Sequence, residues 1–275
     1  MSTIRSLAVP IACVLVVVVA GCVASVDTQA PADAPRVVLP PSGALPDYQL
    51  GGAYDPDPRA GIVVRDRTER PVPDVYSICY VNGFQTQPGE RDDWPDDLVL
   101  RRDGADVVDP EWPDEALLDT GTDAARAAIA QRVGGWIQGC AQAGFDGVEF
   151  DNLDSYTRSE GALSLEDNLE LARLLVQVAH TEGLAAAQKN AAEDAARLHR
   201  DAGFDVAIAE ECAAYEECPA YTQVYGEQVV AIEYTDNERR PFEAVCADDA
   251  TPRSVVLRDR DLVTPADEDY VLEWC

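Results

Sequence analysis

The sequence predicts an α/β fold, a single (β/α)8 TIM-type barrel, on three observations. Short apolar runs alternate with amphipathic stretches along most of the 275 residues, which is the pattern of strand and helix laid in turn. Eight of the apolar runs have strand character, the number that closes such a barrel. Several of them end in polar or acidic residues at the C-terminal edge, where barrels gather their chemistry. A doubly wound open sheet is the alternative reading of the same pattern.

The N-terminus comes first. Arg5 precedes an apolar run from Leu7 to Ala20, closed by Gly21-Cys22. The run is too short and too abruptly ended for a membrane span, so residues 1–21 are expected to be a secretory signal. The ending Val19-Ala20-Gly21-Cys22 resembles the lipobox of bacterial lipoproteins. That resemblance implies cleavage before Cys22, lipidation of its thiol, and a protein held at the outer face of the cell membrane, or released from it, rather than spanning it. Residues 22–41, rich in Ala, Pro, Asp and Val, are expected to be a flexible tether. One domain is expected over residues 42–275.

Within that domain the expected strands are Tyr48 to Leu50, Ile62 to Arg65, Val75 to Val81, Gly147 to Asp151, Ala185 to Lys189, Val206 to Glu210, Val229 to Tyr234 and Val255 to Arg258. The expected helices are Asp123 to Ala143, Leu165 to Glu182, Glu193 to Asp201 and Pro241 to Ala247. Asp123 suits a helix cap, and Gly144 and Gly183 suit helix stops. The stretch from Asn82 to Thr122 has little periodicity and reads as a long, functional connection after the third strand.

Charge narrows the partners. The chain carries 51 acidic against 21 basic residues, a net charge of −30. Such a surface repels nucleic acid and anionic polymers and concentrates a cationic one. Solubility alone explains many of these charges. Of the eight cysteines, removal of Cys13 and use of Cys22 leave Cys79, Cys140, Cys212, Cys218, Cys246 and Cys275. An even number in an exported protein points to disulfides. The short loop favours Cys212 with Cys218; Cys246 with Cys275 would tie down the C-terminus, leaving Cys79 with Cys140. Zinc is disfavoured, because there is no C-x-x-C and only His180 and His199 are present. No cofactor is expected, and the protein is expected to be a monomer.

The segment 146–152 is the most acidic strand end. Strand alternation puts Glu149 and Asp151 on one face and leaves Asp146 before the strand. The following strands end in Gln188-Lys189-Asn190, Glu210-Glu211 and Glu233-Tyr234. Gathering carboxylates is costly without purpose, since like charges raise one another's pKa. Lys189 is the only lysine in the chain, and an ammonium at that strand end can balance buried carboxylates or bind a sugar hydroxyl.

The run Gly144-Phe145-Asp146-Gly147-Val148-Glu149-Phe150-Asp151-Asn152-Leu153-Asp154-Ser155-Tyr156 resembles the signature of glycoside hydrolase family 114, the endo-α-1,4-polygalactosaminidase group. Ile78-Cys79-Tyr80, Ala179-His180 with Gly183-Leu184, Gln188-Lys189-Asn190, Glu210-Glu211-Cys212 with Tyr215-Glu216-Glu217-Cys218, and Glu233-Tyr234 follow the family's pattern in order over residues 75 to 235. The chain departs from it at Pro46-Asp47-Tyr48-Gln49-Leu50, Gly61 to Asp66, Asn82-Gly83-Phe84-Gln85, Leu117 to Thr120 and Ala209, sites that help to shape the family's groove.

The resemblance implies a glycoside hydrolase acting on α-1,4-linked galactosamine-rich polysaccharide, a cationic amino-sugar polymer. Asp151 and Glu210 would be the two catalytic carboxyls, Asp151 as nucleophile or base and Glu210 as general acid, or the reverse. Glu149, Asn152, Asp154, Tyr156, Lys189, Asn190, Glu233 and Tyr234 would bind sugar or orient the pair. Tyr48, Phe84, Trp112, Tyr156 and Tyr234 are candidate stacking platforms. Two rivals stand beside this reading: a noncatalytic polysaccharide-binding lipoprotein with a decayed site, motivated by the altered second strand and Ala209, and a calcium-binding protein using Asp146, Glu149, Asp151 and Asp154.

Overall fold

A computed structural model describes residues 35–275. The expected signal segment 1–21, the lipidation at Cys22 and residues 22–34 of the expected tether lie outside the described residues. No helix among the described residues is long and apolar enough to cross a membrane. Residues 35–41, expected to be tether, lie instead against the barrel, where the Tyr76 hydroxyl donates to the Val38 carbonyl at 2.7 Å.

The elements in order are β1 (Leu45–Gln49), β2 (Ala60–Asp66), β3 (Tyr76–Asn82), a small hairpin of β4 (Arg101–Arg102) and β5 (Ala105–Asp106), α1 (Asp123–Ala143), β6 (Gly147–Asp151), α2 (Leu165–Thr181), β7 (Ala185–Lys189), α3 (Ala195–Arg197), β8 (Val206–Glu210), α4 (Cys218–Tyr225), β9 (Val229–Tyr234), α5 (Phe242–Cys246), β10 (Ser254–Arg258) and β11 (Leu272–Trp274). The strands β1-β2-β3-β6-β7-β8-β9-β10 pair in that order, each parallel to the next. That is the β/α barrel, nearly closed: β10 lies beside β1, and the seam is bridged by β11. This last strand runs antiparallel to β10 and sends the Trp274 indole N–H to the Pro46 carbonyl at 2.7 Å.

Period two divides the side chains between two layers. Tyr48, Ile62, Ile78, Val206, Ile208, Ile232 and Val256 fill the barrel interior. Val81, Val148, Phe150, Ala207, Ala231 and Leu257 face the other way and pack with Ile129, Ile137, Leu171 and Leu175 of α1 and α2. Both helices have clear ends. Thr122, not Asp123, caps α1, accepting from the Ala125 amide at 3.2 Å, and Gly144 stops it in the left-handed region at φ 99°. Ser164 and Asp167 form a reciprocal capping box on α2.

The stretch expected as one helix over Glu193 to Asp201 is broken into short 3-10, α and π turns. The short helix α4 was not expected; Pro219 sits at its first turn, where the missing N–H costs nothing. Disulfides join Cys79 to Cys140, Cys212 to Cys218 and Cys246 to Cys275. The first ties β3 to α1, the second closes the loop after β8, and the third holds β11 beside α5.

The seam is polar. Arg258 is fully buried, donates to the Tyr48 carbonyl and to the Val263 carbonyl at 3.0 Å, and lies 3.6 Å from the buried Asp47 carboxylate. Burial pushes the Asp47 carboxyl up, against the hydroxyl of Tyr54 and the amide of Gln49 that donate to it. Removing one partner of a buried pair strands the other. Arg258→Met is therefore expected to cost about 3 kcal/mol or more. In a domain of this size that lowers Tm by on the order of 10 °C in a thermal melt; an unchanged Tm would show that the arginine does not close the seam.

Candidate active site

The C-terminal ends of β6, β7 and β8 deliver Asp151, Lys189 and Glu210 to one place. Each strand turns sharply just past that residue: Asn152 has φ 61°, Asn190 50°, Ala191 62° and Glu211 59°. Asparagine tolerates this region, whereas Ala191 and Glu211 are strained in it, a cost concentrated around functional sites.

The Lys189 ammonium is the hub. It is 3.2 Å from Glu210 Oε2, 3.4 Å from Glu149 Oε1 and 3.6 Å from Asp151 Oδ2, and it donates to the Tyr48 hydroxyl at 2.9 Å. Burial opposes its charge, but the carboxylates of Asp151, Glu210 and Glu149 outweigh burial and hold its pKa well above the ordinary lysine value. Asp151 accepts from the Tyr80 hydroxyl at 2.7 Å and from the Asn152 amide at 2.7 Å. Glu210 accepts from the Tyr234 hydroxyl at 2.5 Å and from the Asn190 side-chain amide at 3.0 Å. Burial works against its ionisation too, but Lys189, Tyr234 and Asn190 together lower its pKa. The side chains of Asp151 and Glu210 remain 19% and 24% exposed, so both can meet a substrate, whereas Glu149 is sealed at 0%.

Glu149 holds the other end of the cluster. One oxygen accepts from Tyr48 at 2.8 Å, and the buried Oε2 has no hydrogen-bond partner. Burial pushes its carboxyl up to about 7, with the opposing pull of Lys189 second. Lys189 donates to Tyr48, Tyr48 donates to Glu149, and the same ammonium meets Glu210, so one network fixes all four side chains. Between the ordinary carboxyl range and about 7, the folded protein keeps a proton that the unfolded chain has released. Its contribution to stability is complete below the unfolded value and is lost as pH rises through the folded one. Glu149→Gln should flatten the fall of Tm between about pH 5 and about pH 8; an identical slope in the variant would remove Glu149 as the titrating group.

Other residues anticipated at the site are placed differently. Glu233 does not join the Lys189 cluster. Adjacent to the inward Tyr234, it must face outward, and there it accepts the Ala213 and Ala214 amides at 2.9 and 3.2 Å, bracing the loop after β8. Asn152 donates to Asn82 at 3.1 Å and to Glu115 at 3.3 Å, and accepts from Arg158. Asp154 pairs with Arg158 at 3.0 Å, and the Tyr156 hydroxyl donates to Asp194 at 2.8 Å. These three fasten the loop after β6 and do not touch Lys189.

Of the stacking candidates, Phe84 is fully buried in the helix layer and is unavailable to sugar, and Tyr48 is likewise fully buried. Tyr234 lies under the Arg260 guanidinium, 4.0 Å from the ring centre, and Trp112 is 60% exposed. Ala209 faces the helix layer, so its departure from the family pattern does not alter the barrel mouth, and one motive for a decayed site falls away.

Two features were not anticipated. Tyr80 shares the inward face of β3 with Ile78, a parity visible in the sequence once the strand is assigned. Glu115, in the long connection, is buried and accepts from Asn82 and Gln85, both at 2.9 Å. Burial raises its pKa. Arg158 pairs with Asp109 at 2.8 Å and so pins that connection to the loop after β6.

The calcium reading lacks its geometry. Asp146 accepts the Ser77 amide at 2.9 Å and Asp154 is taken by Arg158, so the four proposed ligands do not converge. Cys212, Cys218 and Glu233 lie together, but both sulfurs are in the disulfide and offer no thiolate.

A parallel barrel with paired carboxylates and an ammonium at the C-terminal mouth is a glycoside hydrolase in class. The profile of glycoside-hydrolase family GH114 matches residues 26–275, and the chain belongs to that family. Among solved structures it is similar to Aspergillus fumigatus Ega3 in complex with galactosamine, at 21% identity and a TM-score of 0.69 over 89% of this chain and 100% of that one. It is also similar to the glycoside hydrolase domain of PelA from Pseudomonas aeruginosa, at 14% identity and a TM-score of 0.56 over 84% and 98%. No curated protein matches the chain.

Proposed function

We propose that the protein is an endo-acting hydrolase of α-1,4-linked galactosamine-rich polysaccharide, with Asp151 and Glu210 as its two catalytic carboxyls. The observation that carries the pairing is the single Lys189 ammonium seated on both carboxylates at the barrel mouth. Asp151, held by two donors on a short side chain, acts as nucleophile or base. Glu210 acts as general acid. It enters the reaction protonated and gives that proton to the leaving oxygen. Asp151 and Glu210 are the carboxyls that reach the mouth, and the net charge of −30 concentrates an amine-bearing polymer around it.

In this reading residues 1–21 are a signal, Cys22 carries lipid, and the barrel works outside the cell membrane without nucleic-acid partners, as a monomer. Support comes from the N-terminal sequence, the galactosamine-bound relative and the charge of the surface. The test is release of reducing ends from a deacetylated or partly acetylated α-1,4-galactosamine polymer, with chitosan as the control. Short oligomers released from the first and not from chitosan are expected. Equal release from both, or release only of single sugars from chain ends, would sink the substrate or the endo assignment.

A further inference from the structure

A hollow of about 680 Å³ lies away from Lys189. It lies between the loop after β8, through Tyr215 and Glu216, and the loop after β9, through Arg239 and Arg240, with Asp248 on the far wall. Both loops leave the C-terminal ends of strands that carry Glu210 and Tyr234, so the hollow opens on the same face as the mouth. A small cavity of about 10 Å³ shares Ala214, Arg239 and Arg240 with it and is also lined by Tyr234, the residue that donates to Glu210.

The walls are braced beforehand. The Cys212–Cys218 disulfide closes the β8 loop, the Glu233 carboxylate takes the Ala213 and Ala214 amides, and the Tyr215 amide donates to the Glu211 carbonyl at 3.0 Å. On this rigid loop Tyr215 is 48% exposed, with the Arg239 guanidinium 4.3 Å from its ring centre. The guanidinium covers one face of the ring; a pyranose edge that meets the exposed part of Tyr215 places its hydroxyl or carbonyl oxygens within reach of the Arg239 N–H groups. The charges decide which pyranose. Arg240 is neutralised by Asp248 at 2.7 Å, and the remaining lining charges, Arg239 and Glu216, cancel. In a chain of net charge −30, this is a charge-balanced hollow with a cation at its platform, unlike the anionic mouth.

We infer that the Tyr215–Arg239 hollow is a remote sugar subsite that takes an uncharged, N-acetylated amino-sugar residue of the polymer, while the mouth takes residues bearing free amines. Arg239 donates to the acetamido carbonyl and disfavours an ammonium in its place. This rests on the proposed function and deepens it: the enzyme reads acetylation pattern along the strand.

The test is calorimetric binding to the cleavage-deficient Asp151→Asn protein, with α-1,4-galactosamine oligosaccharides either partly N-acetylated or fully deacetylated as probes. Tyr215→Ala and Arg239→Ala, each added to that background, should weaken the partly acetylated probe about tenfold relative to the deacetylated one. Arg239→Glu should reverse the preference. Both residues are at the surface, and a thermal melt confirms folding. An unchanged ratio in all three variants would overturn the subsite. Cleavage by the parent enzyme is read separately: cleavage with an unchanged ratio sinks the subsite alone, whereas the expected ratio without any cleavage sinks the catalytic reading alone.

Discussion

Asp151→Asn and Glu210→Gln each lower turnover of a galactosamine polymer by about 10²- to 10⁴-fold. Both substitutions keep side-chain size and remove the charge. Tyr80 and the Asn152 amide donate to different oxygens of Asp151, so Asn at 151 keeps one acceptor and a thermal melt separates lost chemistry from lost folding. The two variants should differ with a better leaving group. An aryl glycoside that needs no proton bypasses a general acid, so Glu210→Gln recovers activity on it and Asp151→Asn does not. Recovery in the opposite variant would exchange the two roles.

Lys189→Met has the second large effect. The substitution leaves Glu149, Asp151 and Glu210 facing one another with no cation between them. Breaking a buried ionic cluster by removing one member costs about 3–5 kcal/mol. The carboxyls answer by taking up protons, so Glu210, now held low by Lys189, rises. The folded variant then binds protons that the unfolded chain has lost, and its stability should recover on going from about pH 8 to about pH 5. Thermal melts across that range check the sign. Lys189→Arg should not restore activity, because a planar guanidinium cannot replace a compact ammonium that meets three carboxylates and Tyr48 at once. A Lys189→Met protein as stable as its parent at neutral pH would remove the ammonium from the centre of the account.

The barrel's middle was the most legible part of the sequence. β6, β7, β8 and β9 open on apolar residues and turn polar towards their C-terminal ends, so their limits follow from composition and alternation. β11 was not legible. Leu272-Glu273-Trp274 is a short antiparallel edge whose pairing depends on β10 and on the Pro46 carbonyl, both distant in sequence. The helix expected over Glu193 to Asp201 is present as consecutive 3-10, α and π turns from Ala192 to Ala202 and not as one regular α-helix.

At the site, alternation within one strand was informative and comparison across strands was not. Glu149 and Asp151 share a face, as period two requires. The same rule separates Glu233 from Tyr234, and only Tyr234 reaches Glu210. The hydroxyls of Tyr48 and Tyr80 find Glu149 and Asp151 across 101 and 71 residues of chain, the first across the barrel interior and the second from the neighbouring strand β3. Burial made Glu149 a proton holder, and no local pattern announces burial of that kind.

The most direct test is reducing-end release from an α-1,4-galactosamine polymer by the parent protein, Asp151→Asn and Glu210→Gln at matched concentration, with melts showing all three folded. The parent is expected to release short oligomers, with a loss of about 10²-fold or more in each variant. Parent-like release by both variants would contradict it.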